Sequence, residues 1–293
     1  MNQNTNTMLQ FTTISQAKKD TGLSYIGSVN SSAKMLKSQK NSKQYTYIIY
    51  LAPAKTSGYQ VCPFATKECK LGCLATSGHA GMEIASGGDR IQNARIKKTK
   101  LFFEHNEFFM EWVIEEIKKA KRKADKDGYY FSVRLNGTSD IDWQNAMFKG
   151  YNLFQIFPDV QFYDYTKSHK KFENKPDNYH LTYSYTGRNW DKCKVLLEAG
   201  HNVAMIFNVR KEADIPAMYK GYKVINGDLT DYRVADGKGI IVGLKWKRIA
   251  NKQNEANILN SCFVVNVRNV QGVTVNPELL KPWNTVMALD ALS

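Results

Sequence analysis

Long apolar stretches are missing from this chain. The longest run, ending Gly239-Ile240-Ile241-Val242-Gly243-Leu244, falls far short of the roughly 20 residues that a membrane-spanning helix requires. A spanning helix is therefore excluded and no membrane partner is expected. Missing too is an apolar segment with a small-residue cleavage site in residues 1–20, so export is not expected. The five cysteines then belong in a reducing cytoplasm, where disulfides are rare. Neither a Walker A loop, a Gly-x-Gly-x-x-Gly fingerprint nor a His-Glu-x-x-His helix occurs. Those absences argue in turn against P-loop ATP hydrolysis, a dinucleotide fold and a zinc protease. His105, His169, His180 and His201 are scattered and organise no Ser/His/Asp group.

Acidic residues are in deficit: 27 Asp and Glu stand against 41 Lys and Arg, a formal net charge of +14. Such a field attracts nucleic acid, nucleotide phosphates or an acidic protein. A nucleic acid or nucleotide partner is expected on this count, and a basic enzyme without one is the other reading. The excess lies over 17–43, 97–126, 168–175 and 245–252, with no tail of consecutive like charges.

What is present is material for a real core: 293 residues, 43% of them hydrophobic. Residues 1–44 are rich in Asn, Ser, Thr, Gln and Lys and read as a polar, partly ordered leader around one short helix near 32–38. A single domain is expected over 45–293. It opens with a strand at 45–51 and a cysteine-bearing loop at 58–82. Phe108, Phe109, Trp112, Val113, Ile117 and Ala120 recur at helical spacing within a helix expected over 91–125. Strands are then expected at 129–135, 160–165, 179–185, 202–208, 223–225 and 240–244. Helices are expected at 143–157 and 188–199, with a short turn at 214–219. Strand-helix alternation at this spacing suits parallel crossover units. The expected fold is α/β, a barrel-like or partial (β/α) barrel of about six or more mainly parallel strands, with an open doubly wound sheet as the alternative.

Three of the five cysteines fall in one loop, Cys62-x6-Cys69-x3-Cys73. A thiolate needs a charge partner, which in a reducing compartment is usually a metal. Gly72 and small neighbours let the loop curl, and Lys67 and Lys70 offset negative charge. Two metal readings stay open: a [4Fe–4S] cluster on three cysteines with one iron free, or a Zn²⁺ held by the same three and His79. Cys193 and Cys262 read as ordinary core residues.

The cysteine loop with Ser77-Gly78-His79-Ala80-Gly81, the stretch Arg134-Leu135-Asn136-Gly137-Thr138-Ser139-Asp140, and Phe162-Tyr163-Asp164-Tyr165-Thr166-Lys167 together resemble a family of phage and mobile-element proteins, over about residues 45–247. The order, three clustered cysteines before a run of βα units, is also similar to radical S-adenosylmethionine enzymes, whose usual loop is C-x3-C-x2-C. That resemblance implies Cys62, Cys69 and Cys73 as cluster ligands and S-adenosylmethionine as a cofactor. The phage resemblance implies the cytoplasm of a host cell.

Polar clusters follow the strands, at the edge where parallel α/β folds bind ligands. Arg134 suits a carboxylate or phosphate clamp. Asn136, Thr138 and Asp140 suit ribose hydroxyls or an amino group, or else turn and helix-cap chemistry near Asp142. Tyr165 and Lys167, at period two with Tyr163, suit a stacked base and a phosphate, or simple packing. Asn226 and Asp228, with Asp231 and Arg233, read either as a ligand loop or as a turn. Lys245 and Lys247 flank Trp246 within reach of phosphate.

Overall fold

The computed structural model describes residues 9–30, 33–73, 83, 87–249 and 251–267. Among them, ten strands form one mixed, mainly parallel sheet accompanied by eight α-helices. The strands are β1 (Gly27–Val29), β2 (Gln44–Ile49), β3 (Tyr130–Arg134), β4 (Gln161–Thr166), β5 (Tyr179–Ser184), β6 (Asn202–Phe207), β7 (Met218–Tyr219), β8 (Tyr222–Asn226), β9 (Ile241–Lys245) and β10 (Val264–Val265). The helices are α1 (Ile14–Thr21), α2 (Ala33–Ser42), α3 (Lys67–Leu71), α4 (Arg90–Glu104), α5 (Asn106–Asp127), α6 (Leu153–Ile156), α7 (Trp190–Glu198) and α8 (Lys252–Leu259). None of the described helices is long and apolar enough to cross a membrane.

The sheet order is β1-β2-β3-β4-β5-β6-β9-β8-β7. From β2 through β6 to β9 the neighbours are parallel and follow chain order, the pattern of successive crossover connections. The two ends are antiparallel, β1 against β2 and β7 against β8, and among the described residues no pairing joins β1 to β7. β6 is forked. Its first half lies beside β5, and at Ile206 and Phe207 the place of β5 is taken by β10.

Period-two alternation gives the sheet two unlike faces. Val133, Phe162, Tyr179 and Leu181 turn outward into an apolar core shared with Phe108, Phe109, Trp112, Val113 and Ile117 of α5. A second apolar cluster packs α7 on Val203, Met205 and Phe207. Residues before β2 dock on the same core. The Glu116 carboxylate of α5 accepts from the Ile26 and Gly27 amides at 3.1 and 2.9 Å and from Tyr47 Oη at 2.7 Å.

Two helices differ from expectation. The helix expected over 91–125 is two, broken at His105 (φ −137°, ψ 57°), where the Asn106 side-chain amide donates to the Phe102 carbonyl at 3.1 Å. The helix expected over 143–157 shrinks to α6. Trp143 is drawn inward, its indole N–H donating to Asn136 Oδ1 at 3.2 Å. Lys149 and Gly150 take positive φ in a tight Phe148–Tyr151 turn. The turn expected at 214–219 is a 3₁₀ turn, Glu212–Asp214, followed by β7.

Candidate functional site at the C-terminal strand edge

The loop after β3 is folded around one side chain. Asn136 Oδ1 accepts from Ser139 Oγ, the Ile141 amide and Trp143 Nε1. Its own amides donate to Asp164 Oδ1 at 2.8 Å and to the Ile141 carbonyl at 3.1 Å. Asn136 is thus occupied as a staple. Gly137 is required there, since a Cβ would lie 2.6 Å from the Ile49 carbonyl oxygen. Thr138 Oγ1 donates to the Leu51 carbonyl, which ties this loop to the one after β2.

Asp140 sits at the centre of the mouth. Its Oδ1 accepts from Thr166 Oγ1 at 2.8 Å and from Lys171 Nζ at 2.7 Å, and its Oδ2 accepts from the Lys167 amide at 2.9 Å. Lys171, read in sequence as part of a solvated basic run, is instead only 5% exposed and also bonds the carbonyls of Asp140 and Ile141. A buried ion pair of this kind survives desolvation only because every remaining donor and acceptor is used.

The cysteine loop lies over this edge. Cys62 accepts from the Ala54 amide at 3.5 Å and points its Sγ at the Thr138 carbonyl at 3.9 Å. Burial pushes the Cys62 thiol up to about 11, countered in part by the Ala54 amide. Cys62, Cys69 and Cys73 are near enough to feel one another's charge. Thr66 caps α3, which carries Cys69, by accepting from the Cys69 amide. Burial works to discharge Lys167, yet Cys69, which it hydrogen-bonds, and Asp140 outweigh this and hold its pKa above the ordinary lysine value. Arg95 stands within electrostatic range of Cys73. On the far side Cys69 and Leu71 pack with Ile258 and Trp246, so the loop spans the edge from β3 and β4 to β9 and α8. Among the described residues no three His, Cys, Asp or Glu side chains stand close enough to hold one metal ion. His79 and the rest of the Ser77–Gly81 motif lie outside the described residues. Cys193 is buried and Cys262 is exposed rather than in the core, which corrects the expectation for Cys262.

Arg134 and Tyr165 belong to a separate group on the inner face. Arg134 Nη1 bonds Asp231 Oδ2 at 2.9 Å and its guanidinium lies 5.0 Å from the Tyr165 ring centroid. Tyr163 Oη donates to the same Asp231 oxygen at 3.2 Å, and the Asp231 amide donates to Ser38 Oγ at 3.0 Å. Asp231 therefore draws the β8–β9 connection across the sheet face to β3, β4 and α2. Arg233, wholly buried, follows it inward, with Nη1 3.2 Å from Asp236 Oδ2 and Nη2 bonded to the Thr230 carbonyl. Asn226 and Asp228 do turn chemistry. Asn226 Oδ1 accepts the Asp228 amide at 2.9 Å, and Asp228 Oδ2 accepts the Lys245 amide at 2.7 Å.

The expected residues thus fall into three groups: Thr138, Asp140 and Lys167 with the cysteines; Arg134 and Tyr165 on the inner face; Asn226, Asp228 and Lys245 in the last turn. Sequence reasoning missed Lys171. Nor did it show that Asp231 meets Arg134, 97 residues away, and Ser38, 193 residues away, or that His180 and Thr182 share the inner face with Tyr165. No curated protein and no solved structure matches the chain. A sequence model described as gene product 88 matches residues 22–260, which is 239 of the 293 residues. On that coverage the chain belongs to the gene product 88 family, a phage-type family.

Proposed function

We propose that this protein is an iron–sulfur protein in which Cys62, Cys69 and Cys73 hold a [4Fe–4S] cluster, and that it acts as a radical S-adenosylmethionine-type enzyme on a nucleotide or nucleic acid. The observation that carries the reading is the place of the cysteine loop, stretched over the C-terminal edge of consecutive parallel strands. The donor chemistry fits. Three thiols share one loop, and Lys167 and Arg95 offset thiolate charge there. Bound there, such a cluster supplies one open iron and one electron, the requirements for reductive cleavage of S-adenosylmethionine.

The sheet is best understood as a partial barrel. In a flat sheet, five strand spacings of about 4.8 Å would separate β3 from β8 by about 24 Å. Arg134 nonetheless meets Asp231 a few residues beyond β8, as curling of the sheet would allow. A nucleic acid or nucleotide substrate fits the exposed Lys67, Lys70, Arg188, Lys247 and Arg248, which border the loop together with half-exposed Phe64.

Anaerobic purification followed by iron, sulfide and zinc analysis tests the reading. About four irons and four sulfides per chain are expected. Cys62→Ala, Cys69→Ala and Cys73→Ala should each lower that content, while Cys193→Ala and Cys262→Ala leave it unchanged. Full retention of metal in the triple variant removes the site, and zinc without sulfide replaces the redox reading with a structural one.

A further inference from the structure

Folded proteins leave few buried polar groups without partners, because each forfeits the hydrogen bonds to water it makes in the unfolded chain. Here several gather in one place. Tyr165 Oη, His180 Nε2, Thr182 Oγ1, Arg134 Nε and Arg233 Nε are all buried with no hydrogen-bond partner among the described residues. Tyr165 and Thr182 are register partners on β4 and β5, and His180 lies two residues before Thr182 on the same face. Arg134 covers the Tyr165 ring, and Arg233 is within electrostatic range of both Tyr165 and His180.

The chemistry of the set is one-sided. Arg134 spends Nη1 on Asp231, whereas Arg233 spends Nη2 on the Thr230 carbonyl and holds Nη1 at ion-pair distance, 3.2 Å, from Asp236 Oδ2 without a hydrogen bond; both keep Nε unbonded. Both hydroxyls are free to donate, and a histidine nitrogen can do so. These five groups cluster on the inner face, and the two aspartates beside them each lie within ion-pair distance of one of the arginines. What is lacking is an acceptor with several oxygens and negative charge.

We infer that the inner face of the sheet, between β4, β5 and the β8–β9 connection, is a binding site for a phosphate-type oxyanion, held by Arg134, Arg233, Tyr165, Thr182 and His180. This names the substrate chemistry of the concave face proposed above. It rests on that placement and not on the metal. Water is the rival occupant, but water both donates and accepts, whereas an oxyanion only accepts and matches guanidinium charge.

The test uses Tyr165→Phe and Thr182→Val in the full chain, with thermal unfolding followed in inorganic phosphate, in adenosine 5′-monophosphate, and in sodium chloride at equal ionic strength. Metal content is measured in parallel, so failure of the cysteine site and failure of this site read out separately. Phosphate should raise the wild-type Tm beyond the chloride control, since a ligand bound only to the native state stabilises it. Each variant should keep or exceed the wild-type Tm without phosphate, because it removes a group that bonds nothing. Each should weaken phosphate binding about tenfold. A tighter response to the nucleotide assigns the oxyanion to a nucleotide, and an equal response assigns it to free phosphate. No phosphate effect beyond chloride, unchanged affinity in both variants, or a lowered Tm in phosphate-free buffer, the mark of an internal water network, overturns the site.

Discussion

Two faces of one sheet, one residue apart along each strand, follow opposite rules. On β4, Phe162 turns outward to stack edge-on with Phe154 at 4.8 Å, while its neighbour Tyr163 turns inward to an aspartate. On β3, Val133 packs in the outer core and Arg134 forms a buried ion pair. The outer face is redundant apolar packing, in which many side chains share the work. The inner face is polar, built from single partners of distant sequence, and carries most of the buried groups that lack one. Shared apolar packing lies on one side, and polar groups with single distant partners lie on the other.

The sharpest way to break the comparison is to cut both faces. Trp112→Ala, at the centre of the outer core and wholly buried, should cost about 3–5 kcal/mol in urea unfolding. Thr182→Val, equally buried on the inner face, should cost almost nothing. Comparable losses would erase the distinction.

Acid sharpens it further, because the faces carry opposed titrations. Burial raises outward-facing Asp164 to about 6, despite Arg134, the Asn136 amide, Tyr179 and Lys171 nearby. Its native state therefore binds a proton more tightly than the unfolded chain, and this contribution stabilises the fold as pH falls from about 6 towards 4. Burial lowers inward-facing His180 to about 4, helped by Lys175, Arg233 and His201. There the unfolded state binds more protons, and stability is lost as pH falls from about 6.5 to 4. Asp164→Asn should steepen acid destabilisation between pH 6.5 and 4, and His180→Gln should flatten it, as read from urea midpoints at several pH values. The same slope in both variants would contradict the assignment.

The smallest effect is expected on solvent-facing α5. Lys118 pairs with Glu115, Lys121 with Asp125 and Asp159, and Lys123 with Asp127. Exposed pairs of this sort contribute little. Neutralising these three lysines should leave the urea midpoint unchanged and should not alter the mobility shift expected of the proposed nucleic-acid contact. Neutralising Lys67, Lys70, Lys247 and Arg248 should flatten its salt dependence in mobility shifts. Equal effects would move the phosphate contacts onto the helix.

Much of the outer face was legible in the sequence. Buried parallel strands read as short aromatic and β-branched runs, and α5 announces itself through Phe108, Trp112 and Ile117 at helical spacing. The segment over 143–157 misled because its apolar residues suit a helix until Asn136 captures the Trp143 indole, a tertiary contact no local pattern reports. Of the candidate site, the cysteine loop and the Asp140 region were visible as motifs. Lys171 was not, since a lysine that turns inward carries the same letter as one in water. Arg233 was read as part of either a ligand loop or a turn, and its full burial, within electrostatic range of Tyr165 and His180, appears only after folding.

The fork in β6 has a consequence for synthesis. The cysteine loop leaves the ribosome early, whereas β10 and α8, which bring Ile258, Phe263 and Val264 against Cys69 and Leu71, come from residues 252–265. At ordinary elongation rates those residues emerge about 10–40 s later. For that interval the loop has one wall and no roof, and the outer half of β6 has no neighbour on the β10 side. Cys69 thus waits for β10 and α8 before its apolar side is covered, which makes the order of translation the order of assembly at this edge.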